Sequence, residues 1–338
     1  MLHRAFSLAG LAVAAIIAAA SGADTSRAQE LKFFRIGTGS TAGTYFPIGS
    51  LIASTISNPP GSRACDQGGS CGVPGLIAAA QATAGSVANI QAIAEGALES
   101  GLAQADVVHW AYFGEGIYRD KPRATSLRAI ANLYPESVHL VVRKGAAITS
   151  VPELRGQRVS LDTPGAGTQV DAYLILEAYG LSDQDLHPVF ANPGLAMDMM
   201  MEDKLEAFFF VGGYPAKAIA ELAAAGKVEL VPIAGPQADA LRQRYSFFAR
   251  DRIPSDVYQD TEGVETLSVG AQWVVGAEID DELVYQITRS LWHPNSRLLL
   301  DGGHAKARLI RLETALDGVS IPLHPGAERY YREVGRIE

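Results

Sequence analysis

IGTGSTAGTYFPIG, residues 36–49, is the stretch on which the reading of the fold turns. LKFFRIG, which runs into it, has the branched and aromatic content of a strand. Gly37, Gly39 and Gly43 then permit a tight turn, and Ser40, Thr41 and Thr44 add hydroxyls. From Tyr45 onward Phe46, Leu51, Ile52 and Ile56 fall at helical spacing. A strand, a small-residue loop and a helix in that order aim backbone N–H groups at one point. The loop lacks the lysine of a phosphate-binding P-loop and the glycine spacing of a dinucleotide fingerprint. A plain strand-to-helix turn is the bland alternative.

The same logic returns mid-chain. Residues 158–161 form a candidate strand, TPGAGT at 163–168 the turn, and 169–179 a helix stopped by Gly180. Two such helix N-termini facing each other would clamp an anion. Strand–helix alternation through the middle of the chain predicts mostly parallel sheets covered by helices. LRAIANLY and SVHLVVRKG are expected as two strands parted by Pro135 and Glu136. Pro215 is expected in the first turn of the helix after LEAFFFVGG. Past Arg250 the pattern changes to a strand-rich run and then DDELVYQITRSL, an amphipathic helix. The repeated motif predicts an α/β protein of two lobes. Residues 29–137 with 251–338 would form lobe one and 138–250 lobe two, joined by a hinge around a cleft. A single sheet through all strands is the alternative.

Composition narrows the function. The 338 residues are 48% hydrophobic with a formal net charge of -9, a globular chain without the basic stripe of a nucleic-acid binder. Residues 1–28 have the layout of a secretory signal peptide: Arg4, then an apolar run from Phe6 to Ala20, then small residues at Ser26 and Ala28. Cleavage is expected after Ala28, with Ala23 as the alternative, and the mature protein is expected in the periplasm. Cys65 and Cys71, six apart in a glycine-rich loop, could close a disulfide there; free thiols and a metal are the other readings. The one G-x-S-x-G, Gly68 to Gly72, lies in the glycine-rich cysteine loop and not between a strand and a helix, so it is no nucleophile elbow, and there is no H-E-x-x-H. Binding without catalysis, and without metal or cofactor, is the better account.

Candidate ligand contacts follow from the loops. Ser40, Thr41, Gly43, Thr44 and Tyr45 come from the first, and Thr163, Gly165, Gly167 and Thr168 from the mid-chain one. Asn89 lies one turn into a helix that Ser86 can cap, and Gln104 at a strand end, where ligands gather in α/β sheets. Asp106 is read as a helix cap. Thr168→Val is expected to weaken ligand binding while sparing the stability of the empty protein. Strand alternation does not decide whether Arg143 or Arg158 reaches the cleft; either would favour a dicarboxylate.

Together with AGSVANIQAIAEG at 84–96, LAQADVVHWAYFG at 102–114, LRAIANLYPESVHLVVR at 127–143, LRGQRVSLDTPGAGT at 154–168, LEAFFFVGGYPAKAIAEL at 205–222 and LVYQITRSLW at 283–292, the opening motif resembles the TAXI family. These are the extracytoplasmic solute-binding subunits of tripartite ATP-independent periplasmic (TRAP) transporters. The resemblance implies a two-lobed periplasmic binding protein fold of type II. It also implies a monomer that captures a dicarboxylate or glutamate-like anion for a membrane-embedded TRAP permease driven by an ion gradient. It places Ser86, Asn89 and Gln104 in the pocket, with Gly212, Gly213 and Pro215 opposite. Relatives often have glycine pairs where this chain has Ala42-Gly43 and Ala84-Gly85. A receptor for an ATP-driven importer or a sensor system would share the same cleft; an exported enzyme is the remaining alternative.

Overall fold

Phe34 and Ile36 are buried while Phe33 and Arg35 are exposed along β1 (Lys32–Gly37), the two-residue period of a strand with one face on a core. The computed structural model describes residues 31–338, so the leader expected at 1–28 lies outside the described residues. After β1 come α1 (Tyr45–Ile56), the short pair β2 (Ser57–Asn58) and β3 (Val73–Pro74), β4 (Leu76–Gln81), α2 (Ser86–Ala94), β5 (Ser100–Gln104) and α3 (Ala105–Phe113). The 17-residue β6 (Leu127–Arg143) leads into a second set: β7 (Arg158–Ser160), α4 (Gly167–Ala178), β8 (His187–Val189), α5 (Pro193–Met201), β9 (Ala207–Gly212), α6 (Lys217–Ala224), β10 (Val228–Val231) and α7 (Pro236–Arg244). β11 (Ala249–Ile253) and the 13-residue β12 (Val264–Gly276) return the chain to α8 (Asp281–Leu291), α9 (Ser296–Gly302) and α10 (Pro325–Glu333).

Ten strands share one sheet in the order β4-β1-β5-β12-β6-β9-β7-β8, with β10 on β6 and β11 on β12. Two separate sheets were expected; hydrogen bonding instead continues through β6 and β12, which are long enough to serve both ends. Nor is the sheet mostly parallel. Parallel pairs occupy its ends, and every pair made by β6 or β12 is antiparallel. Pro135 and Glu136 do not interrupt β6. At that level β6 pairs only with β12, and β9 joins from Ser137 onward, so the missing N–H of Pro135 breaks no second ladder.

Successive residues of the long strands feed opposite faces. Trp273 packs with Phe34, Ile48 and Tyr331, while its neighbour Val274 packs with Ile90, Val107 and Trp110. Likewise Leu140 joins Val159, Ile175 and Phe209, and Val141 joins Met200, Phe208 and Ile219. Each end of the sheet is therefore covered by helices on both faces. One half draws on residues from both ends of the chain, the other on its middle. The loop between β2 and β3 is closed by a disulfide, Cys65–Cys71, with Cα atoms 4.8 Å apart. Asn295 Nδ2, just before α9, donates to the carbonyl of Cys65 at 3.3 Å.

Candidate functional site

Where the two halves meet, a cavity of about 300 Å³ is lined by residues of both. Three helices begin on it. α1, α2 and α4 start after Thr44, Gly85 and Ala166, all three line the cavity, and none of these N-termini is capped by a side chain. A fourth helix, α5, begins beside Asn192, whose Oδ1 accepts from the Leu195 N–H at 3.0 Å. α8, away from the cavity, is likewise capped by Asp280. The first turn of a helix presents N–H groups without intrahelical partners and a partial positive charge. Three such ends on one cavity, with no lysine or arginine lining it, offer an anion partial positive charge from backbone groups.

The structure brings together ten of the residues expected at the ligand: Ser40, Gly43, Thr44, Tyr45, Ser86, Gln104, Thr163, Gly167, Thr168 and Gly212 all line the cavity. Five lie elsewhere. Thr41 is exposed. Gly165 passes its carbonyl to the Ala88 N–H at 3.1 Å, and Gly213 passes its own to the Thr44 hydroxyl at 2.5 Å. Pro215 accepts from His304 Nε2 at 2.9 Å and precedes α6, outside its first turn. These contacts, with Ala218 N–H to Ala42 C=O at 3.1 Å, join the two halves around the cavity.

Asn89 is a brace. Its Nδ2 donates to Thr38 O (2.7 Å) and Leu102 O (2.8 Å), both buried, and its Oδ1 accepts from the part-buried Thr83 hydroxyl (2.7 Å). Asn89→Ala should therefore lower the unfolding free energy by about 3 kcal/mol, because buried carbonyls lose their donors. Urea denaturation reads this directly.

Several roles differ from expectation. Ser86 opens α2 and does not cap it; its Oγ accepts from the Gln104 N–H at 3.1 Å. Asp106 lies buried inside the first turn of α3, where Gln104 holds the cap position. The Thr168 hydroxyl already accepts from the Val211 N–H at 3.1 Å. Thr168→Val would thus orphan a buried donor and destabilise the empty protein, contrary to expectation. Arg143 and Arg158 both reach Glu206 and not the cavity, so neither supports a dicarboxylate.

Sequence reasoning missed Glu136 and Asp162, which also line the cavity. Glu136 was hidden in what read as a break between strands. Burial pushes its carboxyl up to about 8, against the hydrogen bond from Tyr45. Burial likewise raises Asp162 to about 7. Beneath the cavity Gln104 Nε2 donates to Asp171 Oδ2 at 2.7 Å. Asp171 is driven well up by burial and then by the neighbouring Asp106, whose own burial lifts it to about 6. Asn192-Pro193, an N-cap followed by proline, was a legible helix-start signal at the cavity rim.

A mixed sheet flanked by helices, with helix N-termini converging on a polar cavity, defines a periplasmic solute-binding fold. Within that class the chain belongs to the NMT1-like family, whose model matches residues 36–335. Among solved structures, PhnD1 from Prochlorococcus marinus in complex with methylphosphonate is similar with a TM-score of 0.50 at 10% identity, over 90% of this chain and 99% of that one. A binding protein component of an ABC phosphonate transporter from Pseudomonas aeruginosa gives 0.49 at 9%, over 84% and 80%. The alkanesulfonate-binding protein SsuA from Xanthomonas axonopodis pv. citri, bound to MOPS, gives 0.44 at 13%, over 90% and 85%. At 10% identity the likeness to PhnD1 is one of fold. The match to the NMT1-like family overturns the assignment to the TAXI subunits of TRAP transporters. The TRAP permease, its ion-gradient coupling and the glutamate or dicarboxylate ligand fall with that assignment.

Proposed function

We propose that this protein is the periplasmic receptor of an ABC-type importer and holds a small oxyanion in the cavity described above. It is a binding protein and transforms nothing. Residues 29–137 with 251–338 act as one lobe and 138–250 as the other, opening and closing through β6 and β12 in the manner of a type II binding protein. The observation that carries the reading is the convergence of three helix N-termini without side-chain caps on one cavity that no basic side chain lines. A compact tetrahedral head, phosphonate or sulfonate, offers its three oxygens to three such ends. Ser40 and Thr163 hydroxyls, with backbone N–H groups, supply further neutral donors. The cavity volume fits a small solute and little more.

The test is calorimetric titration of protein freed of bound solute with methylphosphonate, ethanesulfonate and neutral glucose. The anions should bind and glucose should not. Thr163→Val, whose hydroxyl has no hydrogen-bond partner among the described residues, should weaken anion binding by about 1–3 kcal/mol. Preferential binding of glucose would sink the anion reading. Stimulation of an ABC permease's ATP hydrolysis by the loaded protein tests the partner.

A further inference from the structure

Two carboxyl groups open into this cavity, one from each half. Glu136 comes from β6 and is 1% exposed; among the described residues only its Oε2 is engaged, accepting from the Tyr45 hydroxyl at 2.6 Å. Asp162 follows β7 and is 6% exposed, with Oδ1 accepting from the Thr163 N–H at 2.7 Å. Its backbone φ is +70°, the left-handed region that an aspartate enters at a cost of about 1 kcal/mol. That conformation belongs to the turn that also delivers α4 to the anion site. Lys306 is the buried cation within electrostatic reach of Glu136. It lies over the Tyr214 ring, 3.6 Å from the centroid, and makes no ion pair among the described residues.

Buried acceptors without a basic partner are costly unless something brings them donors. We infer that the ligand carries an ammonium group beside its anionic head, and that Glu136 with Asp162 is the subsite that receives it. The inference rests on the anion reading above. It assigns opposite ends of one small molecule to two chemistries: helix N-termini for the head, carboxylates for the ammonium.

A proton balance follows. In the empty cavity burial keeps Glu136 largely protonated, and Asp162 partly so, near neutral pH. An arriving ammonium favours the carboxylate, so the carboxyl O–H breaks, the proton leaves to solvent, and the ammonium keeps its own three. The groups facing Glu136 are Tyr45 from α1, Tyr134 on β6, Asp106 from α3, Asp171 from α4 and Lys306 from the C-terminal segment. Asp162 has Thr168 beside it.

The experiment uses two matched pairs, ethylphosphonate against 2-aminoethylphosphonate and ethanesulfonate against taurine. Each is titrated near pH 7 in buffers of different ionisation enthalpy. The amine-bearing member of each pair should bind about tenfold tighter or more, and it alone should release protons. In Glu136→Gln, nearly isosteric with the protonated acid, the two members should bind within about threefold of each other, and the proton release should shrink. Asp162→Asn makes the same comparison should the first variant fail to fold. Equal binding of both members by the unsubstituted protein overturns the subsite and leaves the anion reading standing. So does an amine preference that survives both substitutions. Failure of all four anions to bind while glucose binds overturns the anion reading, and the subsite with it.

Discussion

Gly167→Ala should cost about a hundredfold in ligand affinity, near 2.7 kcal/mol, while leaving the fold in place. The backbone itself would accept the change, because Gly167 opens α4 and alanine favours helix by up to about 1 kcal/mol over glycine. The obstacle is across the cavity. A Cβ at Gly167 would stand 1.4 Å from Gln104 Oε1 and 2.6 Å from Ser86 Oγ, both on the opposite half. Gln104 is not free to swing aside, because its Nε2 is tied to buried Asp171. The methyl group must either break that bond and orphan buried groups, or hold the halves apart. Both remove the α4 N-terminus from its place beside those of α1 and α2. Titration with the best-binding anion should show the loss, and the melting temperature of the empty protein should fall as well, because the clash is present without ligand. Affinity within threefold of the parent would mean that the halves close on ligand differently from the arrangement described.

Between about pH 6.5 and 8 the empty protein should lose about 2–4 kcal/mol of stability as pH rises. Glu136, Asp162 and Asp171 all have their folded-state pKa values raised by burial. Unfolded, each is ionised throughout this window, so the folded state binds more protons. Stability from such groups is complete below their ordinary carboxylate range and drains away as pH climbs through the raised values, about 7 for Asp162 and about 8 for Glu136. Two bases bound the window. Burial lowers His139 to about 4, so below about 6.5 the unfolded state gains a proton there and the trend is opposed. Burial lowers Lys306 to about 8, which opposes the trend at higher pH. Melting temperatures measured across the window should fall with rising pH, and the fall should shrink in Glu136→Gln and Asp162→Asn. A flat profile would mean that water reaches these carboxyls freely. Addition of an ammonium-bearing ligand should flatten it, since the ligand favours the charged forms.

The loops were legible because local chemistry writes them. Glycines with hydroxyls between a strand and an apolar helical run are sufficient to mark 39–45 and 163–168, and both supply cavity residues. Which N–H and hydroxyl groups remain available is a matter of tertiary contact, and there the reading ran out. Thr168 resembles a free hydroxyl in sequence, but its oxygen also holds the Val211 N–H; Asn89 resembles a pocket amide but ties two backbone carbonyls to the Thr83 hydroxyl. Glu136 was invisible for a related reason. Proline beside it signals a break, and only the changeover of partners on β6 lets the strand run on. The continuity of the sheet was hidden in the same place. The repeated strand–loop–helix unit suggests two sheets, and no local pattern announces that two antiparallel strands will stitch them into one.

The half of the molecule that holds Trp273 and Phe34 in one core cannot be completed until the last helix, with Tyr331, has been made. Some 300 residues of chain separate those partners, whereas the other half is built almost wholly from one contiguous stretch. Assembly therefore has a built-in order during synthesis and export. The middle of the chain can consolidate early. The N-terminal strand can pair with β4 and β5, but its core face at Phe34 lacks Trp273 and Tyr331 until the C-terminus arrives. A chain that must cross a membrane before it folds gains from that delay, since the core its leading segment joins stays incomplete while its end is still being made.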